Sequence, residues 1–127
     1  MRAFVTELPL GEPARFNPEQ LENLCSKMGD VRAETEVALA LERISHTLAG
    51  LGPTVEGGHL EYLRLSLSDL IRDAELIGMS TLARVARDVL DCEAGGNEVA
   101  FRATLARLTR VGDRSIHAVW DLDDLSG

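Results

Sequence analysis

Residues 60–77 read LEYLRLSLSDLIRDAELI, the most regular apolar pattern in the chain. Apolar residues recur there at alternating steps of three and four, at Leu60, Leu63, Leu67, Leu70, Ala74 and Ile77. This spacing puts them on one face of an α-helix, because a helix turns once in about 3.6 residues. The stretch therefore predicts an amphipathic helix over about 59–77, with a narrow apolar seam typical of helical bundles.

A short helix is predicted over about 18–28. Asn17 can accept a hydrogen bond from a free helical N–H, Pro18 suits the first helical position, and Gln20 completes a capping box. Gly29 is expected to end this helix. Residues 1–16 have no sustained apolar period and are predicted to form an N-terminal arm.

Between these two segments the sequence predicts another helix, over about 31–50. Its seam also alternates steps of three and four, at Val37, Leu41, Ile44, Leu48 and Leu51. The last turn of this helix is followed by a segment with two glycines and a proline, Gly50, Gly52 and Pro53. We expect these residues to end the helix, because proline has no backbone N–H to donate.

Two more helices are predicted downstream. Gly78 interrupts the apolar pattern, Ser80 can cap a helix over about 80–92, and Asn97 can cap a last helix that runs to about residue 121. No window alternates with period two for long enough to predict a strand. We therefore expect residues 17–127 to form a single all-α domain, an antiparallel four-helix bundle with a short N-terminal capping helix.

Composition agrees with a bundle and excludes several functions. Hydrophobic residues make up 45% of the 127 residues but aromatic residues only 4%, as expected where leucine and alanine fill the seams. The formal net charge of −8 excludes a general nucleic-acid binder. Neither a signal peptide nor a membrane span is found, so we expect a soluble cytoplasmic protein. Cys25 and Cys92 are too few for a disulfide framework.

The helix order resembles the histidine-containing phosphotransfer (HPt) domain family. That family has a tight hairpin in which a small-residue turn leads into "leucine-glycine, two or three residues, leucine-alanine". Residues 77–83, Ile-Gly-Met-Ser-Thr-Leu-Ala, are similar to this turn, and Gly29-Asp30 after the short first helix also fits. The resemblance spans most of residues 17–120 and implies a phosphorelay domain whose partner is a response-regulator receiver domain or a sensor histidine kinase.

The phosphoacceptor motif departs from the family pattern. In HPt domains the histidine lies in H-x-L-K-G, about ten residues before the turn glycine, and that position is Ser68 here. Leu70 retains the leucine, whereas Ile71 and Arg72 replace the lysine and the glycine. In this register the resemblance implies a degenerate member of the family without a phosphoacceptor histidine, because a serine phosphoester is too stable for fast relay.

A second register places a histidine in a similar motif. The segment from His46 to Gly50 reads H-x-L-x-G, and it also resembles the phosphoacceptor helix of sensor-kinase dimerisation domains. An exposed imidazole there could accept a phosphoryl group from an aspartyl phosphate. The other interpretation of His46 is an ordinary surface histidine on the polar face of its helix.

A basic surface is the remaining candidate site. Arg64, Ser68 and Arg72 follow each other at steps of four and so share one face of their helix. Arg84 and Arg87 on the next helix could extend this surface, which by the resemblance is about where a receiver docks. Alternatively the face is simply solvated and neutralised by nearby carboxylates.

Function follows from these patterns as two hypotheses. The first is an HPt-like phosphorelay domain that binds a receiver or kinase, with or without phosphoryl transfer through His46. The second is a structural bundle that dimerises through the seams of its second and third helices. No metal-ligand cluster, cofactor motif or catalytic constellation appears, so we predict no metal, no cofactor and no self-contained enzyme. Membranes are not expected as partners, and monomer and homodimer both remain open.

Overall fold

The structure, a computed structural model, describes residues 17–126 and the side chains of residues 17–118. The described chain has five α-helices and no strand: α1 (Pro18–Met28), α2 (Asp30–Glu56), α3 (Leu60–Leu76), α4 (Ser80–Ala94) and α5 (Glu98–Ser126). This confirms the predicted all-α class. The predicted N-terminal arm, residues 1–16, lies outside the described residues.

Local capping signals explain where α1 and α5 begin. The Asn17 side-chain oxygen accepts a hydrogen bond of 3.1 Å from the backbone N–H of Glu19, and Asn97 accepts one of 3.0 Å from Ala100. The caps predicted at Asn17 and Asn97 are therefore confirmed. The cap predicted at Ser80 is wrong, because Ser80 is the first residue of α4 and the N-cap residue is Met79, which makes no side-chain cap hydrogen bond. Gln20 does not close a capping box; its amide instead donates to the carbonyl of Leu76 at 3.3 Å, which ties α1 to the end of α3.

The end of α2 is the main correction to the sequence prediction. We expected Gly50, Gly52 and Pro53 to stop the helix, but α2 continues to Glu56 with Pro53 inside it. Burial explains the difference, because Leu51 is almost fully buried and Val55 packs against the core, so ending the helix early would expose both. Thr54 also donates its hydroxyl to the Gly50 carbonyl at 2.8 Å, so the turn that contains the proline has a side-chain hydrogen bond of its own.

The core lies along the seams predicted from the sequence. Helices that follow each other in the chain are in contact, and α2 also touches α5. The seam of α3 is fully buried at Leu63, Leu67, Leu70 and Ala74, and Ile77, directly after the helix, is buried as well. Leu60 is the exception with 40% exposure, because it is the first residue of α3, at the edge of the packed region.

The turn between α3 and α4 positions the candidate site. Gly78 has φ +79°, a left-handed conformation that residues with a Cβ rarely adopt. It lies directly against Asn17, which brings the start of α1 onto this turn.

No helix in the described chain is both long enough and apolar enough to cross a membrane.

Candidate functional site

An open groove of about 790 Å³ runs beside the α3–α4 turn. Side chains from α2, α3 and α4 line it, together with residues at the start of α1. The polar members of the lining that matter below are Arg43, Ser68, Arg72, Asp73, Glu75 and Arg87. The groove therefore combines three cations, two carboxylates and an exposed hydroxyl within one surface.

Three of the predicted partner-binding residues meet in this groove. Ser68 is exposed near the middle of α3, Arg72 follows one turn later on the same face, and Arg87 reaches the groove from α4. The structure does not bring the other two predicted residues into it. Arg64 lies near the start of α3 and Arg84 lies on α4, and neither residue lines the groove.

Most arginines of this surface already have carboxylate partners. Arg87 forms a hydrogen-bonded ion pair with Glu75, and Arg72 forms an ion pair with Asp69 at 3.3 Å. Both pairs are exposed to solvent. Among the described residues, Arg84 has no hydrogen bond or ion pair. The surface is thus a set of exchangeable, solvent-exposed ion pairs.

Arg64 and Glu93 form the best-aligned ion pair between α3 and α4. The guanidinium makes two hydrogen bonds to the carboxylate, of 3.0 Å from Nε and 2.6 Å from the terminal nitrogen. The hydrogen bond from Arg64 lowers the pKa of Glu93, and partial desolvation of the carboxylate opposes that shift. The same contact raises the pKa of Arg64. This pair holds the two helices together beyond the groove.

An ion pair that was not predicted from the sequence joins α2 to α3. Asp73, one of the carboxylates near the predicted basic face that would neutralise it if that face were solvated, is buried with only 5% of its side chain exposed. Arg43 donates from Nε to both Asp73 oxygens at 3.2 Å, and a terminal nitrogen lies 3.1 Å from Oδ1. The hydrogen bond to Asp73 is the main reason that the pKa of Arg43 is raised.

The spacing of Asp73 from the apolar residues of α3 could have indicated that its carboxylate is buried. Asp73 follows Leu70 by three residues and precedes Ile77 by four, so it occupies a seam position beside Ala74. A charged residue at a seam position is seldom buried without a partner. The partner itself, Arg43, could not have been named, since the pairing depends on how α2 and α3 pack.

His46 does not line the groove. The longer α2 places it in the middle of that helix, one turn after Arg43, and its ring is exposed. No residue described by the structure makes a hydrogen bond or ion pair with the imidazole. His46 is not among the groove residues, so the two predicted registers of the phosphoacceptor motif, His46 and Ser68, occupy different helices, and of the two only Ser68 lines the groove.

The described part of the chain offers little for a metal or a buried catalytic group. No group of three or more His, Cys, Asp or Glu side chains that could hold a metal ion occurs within it. Every buried side-chain nitrogen or oxygen there has a hydrogen-bond partner. Cys25 and Cys92 are half-buried thiols. The exposed groove is therefore the best-formed candidate site.

Comparison with protein-family models, with curated proteins and with solved structures found no match for this chain.

Proposed function

We propose that this chain is an HPt-like signalling module that binds a receiver domain, or the sensor kinase that pairs with one, through the α3–α4 groove. In this proposal it acts in the cytoplasm as a binding module and carries no phosphoryl group on a histidine in the groove. The observation that carries the proposal is Ser68, which lies ten residues before the turn glycine, in the phosphoacceptor register, and lines the groove.

The finer architecture is part of the same proposal. We propose that α2 to α5 form an antiparallel four-helix bundle and that α1 caps one end. Contacts between consecutive helices, together with the contact of α2 with α5, support a closed ring of four. The hydrogen bonds of Asn17 and Gln20 to Gly78 and Leu76 support a cap at the α3–α4 end.

Ser68 determines what the groove can do chemically. A serine hydroxyl has no lone-pair nitrogen to accept a phosphoryl group reversibly, and an acid–base partner for Ser68 is not found among its hydrogen bonds in the described chain. The position can still be covered by a partner, because the side chain is small and exposed. Binding without transfer is therefore the function that fits this residue.

The ion pairs of the groove suit an acidic partner. Pairs between exposed side chains contribute only about 0–1 kcal/mol, so Arg72 and Arg87 can leave Asp69 and Glu75 at little cost. Carboxylates around the active site of a receiver domain would offer them new partners. Such exchange favours specificity and association rate more than affinity.

Titration with a set of purified receiver domains and kinase dimerisation domains tests the proposal. Arg87→Glu should weaken binding at least about tenfold, because it places a like charge opposite an acidic partner. Arg102→Glu is the matched control, since Arg102 is also exposed and ion-paired with a glutamate but lies on α5 outside the groove. Equal effects of the two substitutions, or no binding to any receiver or kinase, would contradict the proposal.

Relay through His46 is the second candidate, and its exposure in the middle of α2 favours it. In that reaction the phosphoryl group passes from a receiver aspartate to the imidazole, and the free carboxylate is released. Incubation with radiolabelled phosphorylated receivers should then give an acid-labile, base-stable label that His46→Gln abolishes. A lack of label in the wild-type chain would exclude this candidate.

Dimerisation through the seams of α2 and α3 has less support. Most seam residues of both helices, among them Ile44 and Leu67, are fully buried within one chain, and Leu60 and Leu48 are the exceptions. A second copy could reach them only if the core opened. We therefore do not extend the proposal to an interface built on those seams.

A further inference from the structure

The outer face of α3 carries a second row of residues at helical spacing. On the side of the helix away from the buried seam, four exposed residues follow each other at steps of four, three and four: Glu61, Leu65, Ser68 and Arg72. This is the spacing of a coiled-coil seam, and it keeps the four side chains in one row along about 16 Å of helix. We name these four residues the α3 outer row. None of them belongs to the core, so the row is available to another molecule.

Large apolar side chains are exposed on this row and beside it. Leu65 is 64% exposed and Tyr62 is 63% exposed. An open depression of about 770 Å³ lies against the same part of α3 and is lined by residues 58–62, Arg64 and Leu65. Covering these apolar side chains would release the water around them, which favours association. The depression offers room for a side chain that projects from the covering molecule.

The two ends of the α3 outer row carry opposite charges. Glu61, at the start of the row, has no hydrogen bond or ion pair to a residue that the structure describes, and its neighbour Arg64 is held by Glu93. Arg72, at the end of the row, has the exposed ion pair with Asp69 described above. The row therefore presents a negative charge, an apolar side chain, a hydroxyl and a positive charge, in that order.

A second α3 that runs in the opposite direction matches this order. If a twofold axis crosses the helix between residues 66 and 67, Glu61 of each copy lies opposite Arg72 of the other copy. Leu65 of each copy then lies opposite Ser68 of the other. Because serine is small, the two leucines can pack against each other across the axis. One contact thus pairs both charges and covers the exposed apolar side chains.

The side chains that flank the row fit the same arrangement. Tyr62 and Asp69 are seven residues apart, so they flank the row on the same side of the helix. In the antiparallel contact each tyrosine lies beside Asp69 of the other copy, and its hydroxyl can donate to that carboxylate. Asp69 therefore keeps a donor when Arg72 leaves it for Glu61 of the other copy. The existing ion pair is exposed, so this exchange costs little.

We propose that the α3 outer row is an interaction surface for a second copy of this chain, which binds through an antiparallel α3–α3 contact. The row is self-complementary, as a twofold interface requires. It differs from the seam of α3, which stays buried within each chain. The contact covers only about three helical turns and its ion pairs are exposed, so the dimer is expected to be weak and sensitive to salt.

A partner with one sign of charge fits the row less well than a second copy. Carboxylates of an acidic partner would pair with Arg72 but would meet Glu61 with like charge, and a basic partner would meet the reverse conflict. A partner that reverses its charge along the contact avoids both conflicts. The second copy does so because its row is the same and runs in the opposite direction.

The dimer would also cover part of the groove. Ser68 and Arg72 belong both to the α3 outer row and to the groove lining. If the groove binds a receiver, dimerisation and receiver binding are therefore competing events, and the dimer holds the chain in a form that is closed to receivers. This consequence rests on the proposed function, whereas the dimer itself does not.

Sedimentation equilibrium of the full chain, at low and at high salt, tests the charge pairing. Glu61→Arg and Arg72→Glu should each raise the dimer dissociation constant at least about tenfold, because each places like charges opposite one another twice. An equimolar mixture of these two variants should form a heterodimer, in which both pairs are again complementary. The double variant Glu61→Arg/Arg72→Glu should dimerise with itself, which also shows that the helix tolerates the exchanged charges.

A matched pair of apolar substitutions tests the centre of the contact. Leu65→Ser should raise the dimer dissociation constant at least about tenfold, since the two leucines pack across the axis. Val99→Ser is the control, because Val99 is 80% exposed but lies on α5, away from the row. It should leave the dissociation constant unchanged. Equal helical circular dichroism of both variants and the wild type shows that neither substitution has unfolded the chain.

Three results would overturn the proposal. These are a wild-type chain that stays monomeric at low salt up to millimolar concentration, a mixture of Glu61→Arg and Arg72→Glu that does not associate, and equal effects of Leu65→Ser and Val99→Ser. Titration with receivers separates this proposal from the proposed function. A chain that dimerises as described but binds no receiver supports the dimer and contradicts the signalling function, and a monomeric chain that binds receivers does the reverse.

Discussion

The backbone N–H of Asn17 donates a hydrogen bond of 2.6 Å to the carbonyl of Gly78. A Cβ added at Gly78 would lie 2.7 Å from the Asn17 carbonyl oxygen, so the two backbones meet at a distance that only glycine permits. The start of α1 and the α3–α4 turn are thus fitted to each other directly, without an intervening side chain. Because the groove begins at this turn, the contact also supports the candidate site.

Alanine at Gly78 should destabilise the chain by about 2 kcal/mol or more, since a left-handed φ alone costs about 1–2 kcal/mol and the backbone of Asn17 must also move. Gly29→Ala separates the two effects, because Gly29 has φ +84° but open space around its Cβ position. Gly50→Ala, in a helix with open space, should stabilise by up to about 1 kcal/mol. Urea unfolding measures all three.

The order of these three variants is the decisive result. Gly78→Ala should be the least stable, Gly29→Ala intermediate and Gly50→Ala the most stable. If Gly78→Ala is no worse than Gly29→Ala, the contact with Asn17 does not constrain the turn.

The Arg43–Asp73 pair gives a second prediction. Arg43→Met keeps an aliphatic side chain but leaves the buried Asp73 carboxylate without its donor, at a cost of about 1–3 kcal/mol in unfolding free energy. Arg72→Met is the control, because its pair with Asp69 is exposed on both sides, and it should change stability by less than about 0.5 kcal/mol. The double variant Arg43→Met/Asp73→Leu should lose less than Arg43→Met alone. Thermal or urea unfolding that gives equal losses for Arg43→Met and Arg72→Met would show that the buried pair has no special role.

The Arg64–Glu93 pair makes stability depend on pH. The pKa of Glu93 is lowered in the folded chain, so its stabilising effect is complete above the ordinary glutamate pKa of about 4.3 and is lost as the pH falls through the lowered value. The difference in unfolding free energy between the wild type and Glu93→Gln should therefore be largest near neutral pH and shrink in acid. Arg64→Met should reproduce this dependence. A difference that stays constant from neutral to acid pH would contradict the assignment.

Leu48 and Gly112 couple α2 to α5. A Cβ at Gly112 would lie 2.6 Å from Leu48 Cδ1, so leucine at one position and glycine at the other fit as a pair. In the wild-type chain Gly112→Ala should be neutral to destabilising, whereas in a Leu48→Ala background it should stabilise by up to about 1 kcal/mol. A double-mutant cycle should give a coupling free energy of about 0.5–3 kcal/mol. Additive effects of the two substitutions would show that the helices do not meet at this point.

Much of the fold could be predicted because its signals are local. The bounds of α1 and the seam of α3 follow from caps and a three–four period, which act within a few residues. The end of α2 could not be predicted in this way. Pro53 is a correct local signal for a helix end, but the burial of Leu51 and Val55 outweighs it, and burial depends on the other helices.

In the candidate site, too, the features set within one helix could be predicted and those set between helices could not. Ser68 and Arg72 were placed on one face by their spacing alone, and both line the groove. The carboxylate partners of the arginines and the burial of Asp73 depend on distances between helices that no spacing along one helix contains. Which residues share a helix face could therefore be predicted, whereas the ion pairs between helices could not.

The contacts between helices that follow each other in the chain favour rapid folding. Most native contacts join segments close in sequence, and such a low contact order is typical of chains that fold in microseconds to milliseconds. The contact between α2 and α5 spans the longest stretch of sequence and has the greatest loop-closure cost. Packing of Leu48 against Gly112 is therefore expected late in folding, and substitutions there should speed unfolding more than they slow folding.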